Sequence, residues 1–299
     1  MLIQRGIRPA FRLAALGAAV ALAFAIPTAG ASAAAHPAAQ PAASAQAALH
    51  TAAAASPAQG RHQAVLSPDL IRPATTTNYT SWNWDGYFAT DSTDSTDFNS
   101  VTATWVEPSV TCDSNTAWAG FWVGTDGWWN DVVEQGGSQA QCFGGTASYS
   151  VWWEMYPYND IQTGFSIDAG DTITATVTYS PTTTDFTITV KDVTLSQTLT
   201  EVTPCESDQD GCPRTTAEVI SEDIGGGTDT DGLYYLPDYG TITYSSVSVT
   251  NTAGHNGTLS DSNWNLGKVT EVSSTNITKQ STSGLNASGN SFSTSWLHE

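Results

Sequence analysis

Two side chains in this sequence carry chemistry that points to a mechanism: Gln135, in the run Asp131-Val132-Val133-Glu134-Gln135-Gly136-Gly137, and Glu222, in Ala217-Glu218-Val219-Ile220-Ser221-Glu222-Asp223. The more usual catalytic groups are nearly missing. Beyond residue 72 the histidines are His255 and His298, and the cysteines are Cys112, Cys142, Cys205 and Cys212. Chemistry must therefore come from carboxylates, amides and hydroxyls. An ionised glutamate within hydrogen-bond reach takes a proton from a water as it attacks a carbonyl, then returns that proton to the leaving group. A glutamine amide offers a neutral N–H to the developing oxyanion, worth about 3 kcal/mol by analogy with other side-chain donors. An amide does not titrate, and an unperturbed Glu, near 4.3, is a usable base in acid where His is protonated.

Other constellations compete with this one. A serine–histidine triad has only His255 to draw on inside the domain, in the turn-like Ala253-Gly254-His255-Asn256-Gly257. An aspartic pair needs two loops of the Asp-Thr-Gly or Asp-Ser-Gly kind, and neither occurs. A glycosidase needs two carboxylates flanking an aromatic cleft, and Glu134, Glu154 and Glu222 could supply them. The 11 tryptophans also fit a non-enzymatic carbohydrate-binding module, although most belong in a core or rim. Neither Cys-x-x-Cys nor a His cluster is present to make a zinc site, so no metal and no cofactor is expected.

The elements that must position these groups read as strands. From Tyr79 to Leu297 short β-branched and aromatic runs alternate with Gly, Asn, Asp, Pro and Ser, which predicts an all-β antiparallel sandwich in one domain, residues 73–299. Strands are expected over 100–106, 147–155, 171–179, 186–193, 240–250 and 268–272. In Asp171 to Tyr179, Ile173, Ala175, Val177 and Tyr179 share one face and the threonines the other. In Tyr149 to Tyr156, Ser150, Trp152, Glu154 and Tyr156 share a face opposite Tyr149, Val151, Trp153 and Met155. A carboxylate between large aromatics, backed by an apolar face, predicts a groove wall.

Residues 1–33 read as a secretory signal: Arg5, Arg8 and Arg12 precede an apolar run from Leu13 to Ile26 and a small-residue site at Ala31-Ser32-Ala33. That run, about 14 residues, falls short of the roughly 20 that span a bilayer. Residues 34–72, dominated by Ala, Pro, Gln and Ser, are expected to be a propeptide or linker. Of 29 acidic and 9 basic residues, every acid but Asp69 lies beyond Pro73, whereas only Lys191, Arg214, Lys268 and Lys279 accompany them there. Nucleic acid and anionic membrane are poor partners for that charge, which suits an acidic medium, while the leader predicts a secreted, extracellular protein. In an exported chain four cysteines allow three disulfide connectivities. Cys205 and Cys212 bracket one short polar loop and are expected to pair, leaving Cys112 and Cys142 to each other.

A family resemblance rests on motifs that follow one another in order: Asn83-Trp84-Asp85-Gly86, Val101 to Pro108, Phe121-Trp122-Val123-Gly124-Thr125-Asp126-Gly127, Val133-Glu134-Gln135-Gly136-Gly137, Trp152 to Pro157 and Ala217 to Asp223. Over residues 79–297 the chain resembles the glutamic peptidases, or eqolisins. That resemblance implies a monomeric acid endopeptidase acting on polypeptides, built on two curved sheets of concanavalin-like or jelly-roll type with its site on the concave face. It implies Gln135 and Glu222 as the catalytic dyad, with Glu218 as the fallback glutamate. It also implies that Trp84, Trp122, Asp126, Trp152, Glu154 and Tyr156 line the substrate cleft or support the dyad. Ser150, Val219 and Ile224 depart from the family pattern, where an Asp, a Trp and an aromatic residue are usual.

Overall fold

The structure, a computed structural model, describes residues 76–90, 98–157, 161–205 and 212–299. The expected signal (1–33) and the Ala/Pro-rich segment (34–72) lie outside the described residues. In chain order the strands are β1 (Thr76–Ser81), β2 (Trp84–Thr90), β3 (Phe98–Val106), β4 (Ala117–Asp126), β5 (Val133–Phe143), β6 (Thr146–Tyr156), β7 (Gln162–Ile167) and β8 (Thr172–Ser180). They continue with β9 (Asp185–Asp192), β10 (Gln197–Pro204), β11 (Thr216–Asp223), β12 (Thr241–Asn251), β13 (Asn256–Gly257), β14 (Asn265–Glu271), β15 (Gln280–Thr282) and β16 (Phe292–Trp296). One sheet runs β1-β14-β2-β11-β4-β5-β6-β7 and the other β10-β9-β8-β3-β12-β16-β15, with β13 beside β12.

The alternation in β8 and β9 explains why the two sheets stack. Ile173, Ala175 and Val177 of β8 and Phe186, Ile188 and Val190 of β9 are fully buried, and they meet Phe121 and Val123 of β4 and Val151 and Met155 of β6 in one core between the sheets. Each such buried aliphatic or aromatic side chain contributes about 1.5–3 kcal/mol. The threonines on the other face of β8 pair with those of β3: Thr102 with Thr176 at 2.7 Å and Thr104 with Thr174 at 2.8 Å.

Among the described strands, ladder pairing is antiparallel except at one edge. β1 lies parallel to β14, in register from Thr76 opposite Leu266 to Ser81 opposite Glu271. A parallel neighbour requires a long return path, and here most of the domain is that path. Both expected disulfides form, Cys112–Cys142 and Cys205–Cys212. The first joins the segment before β4 to the end of β5.

Because side chains alternate along a strand, the residues between the core positions of the first sheet project from its opposite face. A second apolar layer gathers there, containing Trp84, Phe88, Trp122, Trp152 and Ile220.

Candidate active site

The cleft sits on that second layer, across five neighbouring strands. Trp84 comes from β2, Glu222 from β11, Gln135 from β5, and Trp152, Glu154 and Tyr156 from β6. Their parity is set by the core: Ala217 and Val219 bury inward from β11, which turns Ile220 and Glu222 outward. Asn83, Gly127, Asn130, Asp131, Val133, Ile161 and Ile224 complete the lining of this open cleft, which together with the solvent at its mouth encloses roughly 580 Å³.

Both carboxylate oxygens of Glu222 accept hydrogen bonds. Asn83 Nδ2 donates to Oε1 at 3.0 Å and Trp122 Nε1 to Oε2 at 2.8 Å. The Asn83 amide is itself fixed, because its Oδ1 accepts the Ser81 hydroxyl at 3.2 Å. Burial pushes the Glu222 carboxyl up to about 7, against the pull of the Trp84, Trp122 and Asn83 donors. The unperturbed value near 4.3 expected from sequence does not survive this environment, since desolvation outweighs the donors.

Gln135 stands opposite Gly124 of β4 on one side and Glu154 of β6 on the other. Its Nε2 donates to Glu154 Oε2 at 2.8 Å, which uses one of two amide hydrogens and leaves the other for the cleft. Its Oε1 is buried without a partner. Glycine at 124 is a close-approach requirement: an added Cβ would lie 2.9 Å from the Trp122 ring and 3.2 Å from the Gln135 Cβ. Without a side chain at 124, the Trp122 ring packs against that backbone while its Nε1 reaches Glu222. Trp152 is fixed in the floor by its Nε1, which donates to the Ser138 carbonyl at 2.9 Å.

Not every expected residue meets the cleft. Trp122 is fully buried and acts on Glu222 from below rather than on a ligand. Asp126, expected at the cleft, is also fully buried and is no part of its lining. Its carboxylate accepts from Asn130 Nδ2 at 2.8 Å, from the Thr215 backbone N–H at 2.9 Å and from the Arg214 backbone N–H at 2.6 Å. With positive φ at Asp126 (70°) and Gly127 (91°), this carboxylate pins the turn that closes β4 onto β5. Glu218, the fallback glutamate, is buried beside Thr216, and burial raises its carboxyl well above the usual range, with Asp126 and Glu134 adding to the rise. Glu134 faces away from the cleft and accepts the Thr125 hydroxyl at 2.6 Å.

Two of the three departures fall outside the cleft. Val219 packs in the core between the sheets, and Ser150 accepts from Gln139 Nε2 at 2.9 Å. Ile224 does line the cleft, backed by Trp118 and Tyr234. Asn83 was missing from the sequence-based site, although the Asn83-Trp84-Asp85-Gly86 motif contains it. Its signal was local: Ser81, two residues earlier, is the hydroxyl that orients a bend asparagine.

Residues 82–291 match the model of the Peptidase A4 family. The chain belongs to that family. Solved structures of glutamic peptidases agree with this. A crystal structure of scytalido-glutamic peptidase with a peptide-based transition state analog is 26% identical with a TM-score of 0.60, covering 72% of this chain and 98% of that one. SCP-B, a member of the eqolisin family of peptidases in complex with the tripeptide Ala-Ile-His, is 25% identical with a TM-score of 0.57 over the same shares. Aspergilloglutamic peptidase from Aspergillus niger is 27% identical with a TM-score of 0.50, covering 60% of this chain and 99% of that one. No curated protein matches the chain. The A4 domain described here is thus a hydrolase of the glutamic-peptidase type, and the carbohydrate-directed alternatives give way to it.

Proposed function

We propose that this protein is a secreted endopeptidase of weakly acidic media in which Glu222 moves the proton and Gln135 stabilises the oxyanion. The observation that carries the reading is Glu222 itself, a carboxylate in an aromatic cleft with one donor fixed on each oxygen and Gln135 in the same lining. Ionised Glu222 takes a proton from a water as that water attacks the scissile carbonyl carbon. The negative oxygen that results accepts the second Gln135 Nε2 hydrogen, while Glu154 holds the first. Glu222 then passes its proton to the departing amine, and the C–N bond breaks.

Polypeptides are the substrates this chemistry serves, and an extended chain fits an open cleft crossing several strands. Export rests on the composition of residues 1–33. The weakly acidic range follows from two opposed requirements. Glu222 works as a base only when ionised, and burial raises it to about 7. The fold, in contrast, buries carboxyls that favour their protonated forms, Asp85 at about 7 and Glu107 at about 8. Digestion of a denatured protein by the wild type and by Glu222→Gln tests the proposal: loss of cleavage with an unchanged fold is expected, and near-native turnover in the variant would remove Glu222 from the mechanism.

A further inference from the structure

The turn that Asp126 pins does more than close a hairpin. Its Gly127, Asn130 and Asp131 line the cleft, and between them it carries Trp128 and Trp129. The aromatic floor continues through these residues. From Trp122, which holds Glu222, successive ring centroids step 5.0 Å to Trp84, 6.3 Å to Trp128 and 6.1 Å to Trp129. Trp128 stacks on Phe88 at 4.5 Å, and Tyr79 meets Trp128 at 5.2 Å and Trp129 at 6.1 Å.

Exposure changes sharply along this row. Trp122, Trp84 and Trp128 are buried, whereas Trp129 is 46% exposed. That exposed ring is nonetheless fixed. Trp129 Nε1 donates to Thr90 Oγ1 at 3.3 Å, and its edge abuts Phe88 and Tyr79. The turn below it is held from within, since Asn130 Oδ1 accepts from the Gly127 N–H at 3.0 Å and the Val132 N–H at 3.3 Å. A large aromatic face that is exposed yet already ordered binds apolar groups at little entropic cost.

We propose that Trp129, flanked by Tyr79 and backed by Trp128, is a specificity subsite for an aromatic or large aliphatic side chain of the polypeptide substrate. This rests on the Gln135–Glu222 cleft as the place of cleavage. The occupant is argued from continuity: the shelf extends the floor on which the scissile bond would lie and is built on a turn that lines the same cleft. At about 3.3 Å per residue of extended chain, the row of rings spans no more than about five residues. The side chain read by the shelf therefore belongs to a residue two to five positions from the cleaved bond.

The test is a series of quenched peptides with a constant cleavage sequence and alanine elsewhere, in which a single Phe is walked outward from the cleaved bond on both sides. The readout is the ratio of kcat/KM for each Phe peptide to that of its Ala counterpart, in the wild type, Trp129→Ala and Trp129→Phe. One position should favour Phe by about three- to tenfold in the wild type. Trp129→Ala should bring that ratio to one, and Trp129→Phe should keep part of it. Peptides that are cleaved with no positional preference, or a preference that survives Trp129→Ala, would overturn the subsite while leaving the dyad intact. A wild type that cleaves none of the peptides would instead remove the cleft reading and the subsite with it. Trp129-dependent binding of a soluble glucan oligosaccharide, with no Phe preference, would reassign the shelf and overturn the proposal.

Discussion

Gln135 and Glu154 face each other across β5 and β6, and the amide of the first donates to the carboxylate of the second at 2.8 Å. The bond fixes which end of the Gln135 amide is nitrogen. Because Glu154 accepts but does not donate when ionised, it selects the orientation that leaves an N–H for the oxyanion. In Glu154→Gln the new amide donates as readily as it accepts, and Gln135 loses that selection. A fall in kcat of about tenfold or more is expected, with KM little changed, and steady-state kinetics on one peptide check it.

The two glutamates of β11 separate cleanly by substitution. Glu222→Gln keeps shape and removes the base, so proteolysis should be lost with the fold retained. Glu218 is buried away from the cleft, and burial favours its neutral form, which glutamine mimics. Glu218→Gln should therefore retain turnover, with kcat/KM and thermal midpoint measured together. Activity lost in Glu218→Gln and kept in Glu222→Gln would reverse the assignment.

Removing the amide should be costly in a different way. Gln135→Ala is expected to lower kcat by about 10² through loss of the oxyanion donor. Gln135→Glu should fail as well, since an ionised carboxylate places negative charge where negative charge develops. Equal turnover in both variants and the wild type would exclude Gln135 from the mechanism.

The pH dependence of rate follows from Glu222. Its base form predominates above about 7, so kcat/KM should rise with pH along an acid limb set by that group. Trp122→Phe and Asn83→Ala each delete a donor to the ionised form, which raises the Glu222 pKa further and should move the limb to higher pH. A limb that stays in place in both variants would show that another group controls it.

Stability should run the opposite way. Asp85 and Glu107 titrate near 7 and near 8 in the fold because burial disfavours their charged forms, against about 4 in an unfolded chain. A raised carboxyl binds its proton more tightly when folded, so the stability it contributes is fully present below about 4 and is lost as pH rises through 7 to 8. Urea unfolding between pH 4 and pH 8 should show the midpoint falling. Glu107→Gln, which removes one titrating group beside Ser138 and Trp105, should flatten the slope; a midpoint that climbs toward neutrality would contradict the burial of these carboxyls.

Legibility from sequence depended on whether a strand has two different faces. β8, with its threonine face, announced Ile173, Ala175 and Val177 as core, and β6 announced Trp152, Glu154 and Tyr156 as a common face. β4 gave no such signal, because the sheet is covered on both sides and every residue from Ala117 to Asp126 is buried. The family resemblance named candidate residues that periodicity could not, Asp126 among those lining the cleft or supporting the dyad. Besides nearby Asn130, the partners of the Asp126 carboxylate are Arg214 and Thr215, almost ninety positions away, and no local pattern links those two to it. The shift on Glu222 was equally invisible, since burial is a property of the folded sheet rather than of the Glu222-Asp223 dipeptide.

The parallel pairing of β1 with β14 has a bearing on how the domain is made. Among the described strands β1 comes first in sequence, and its sheet neighbour there, β14, begins at Asn265. The ladder from Thr76 to Ser81 must wait for nearly the whole domain to be synthesised before it can form, so this edge of the sheet can be completed only late in translation. Until Asn265 to Glu271 has been made, this edge of the sheet is one strand short.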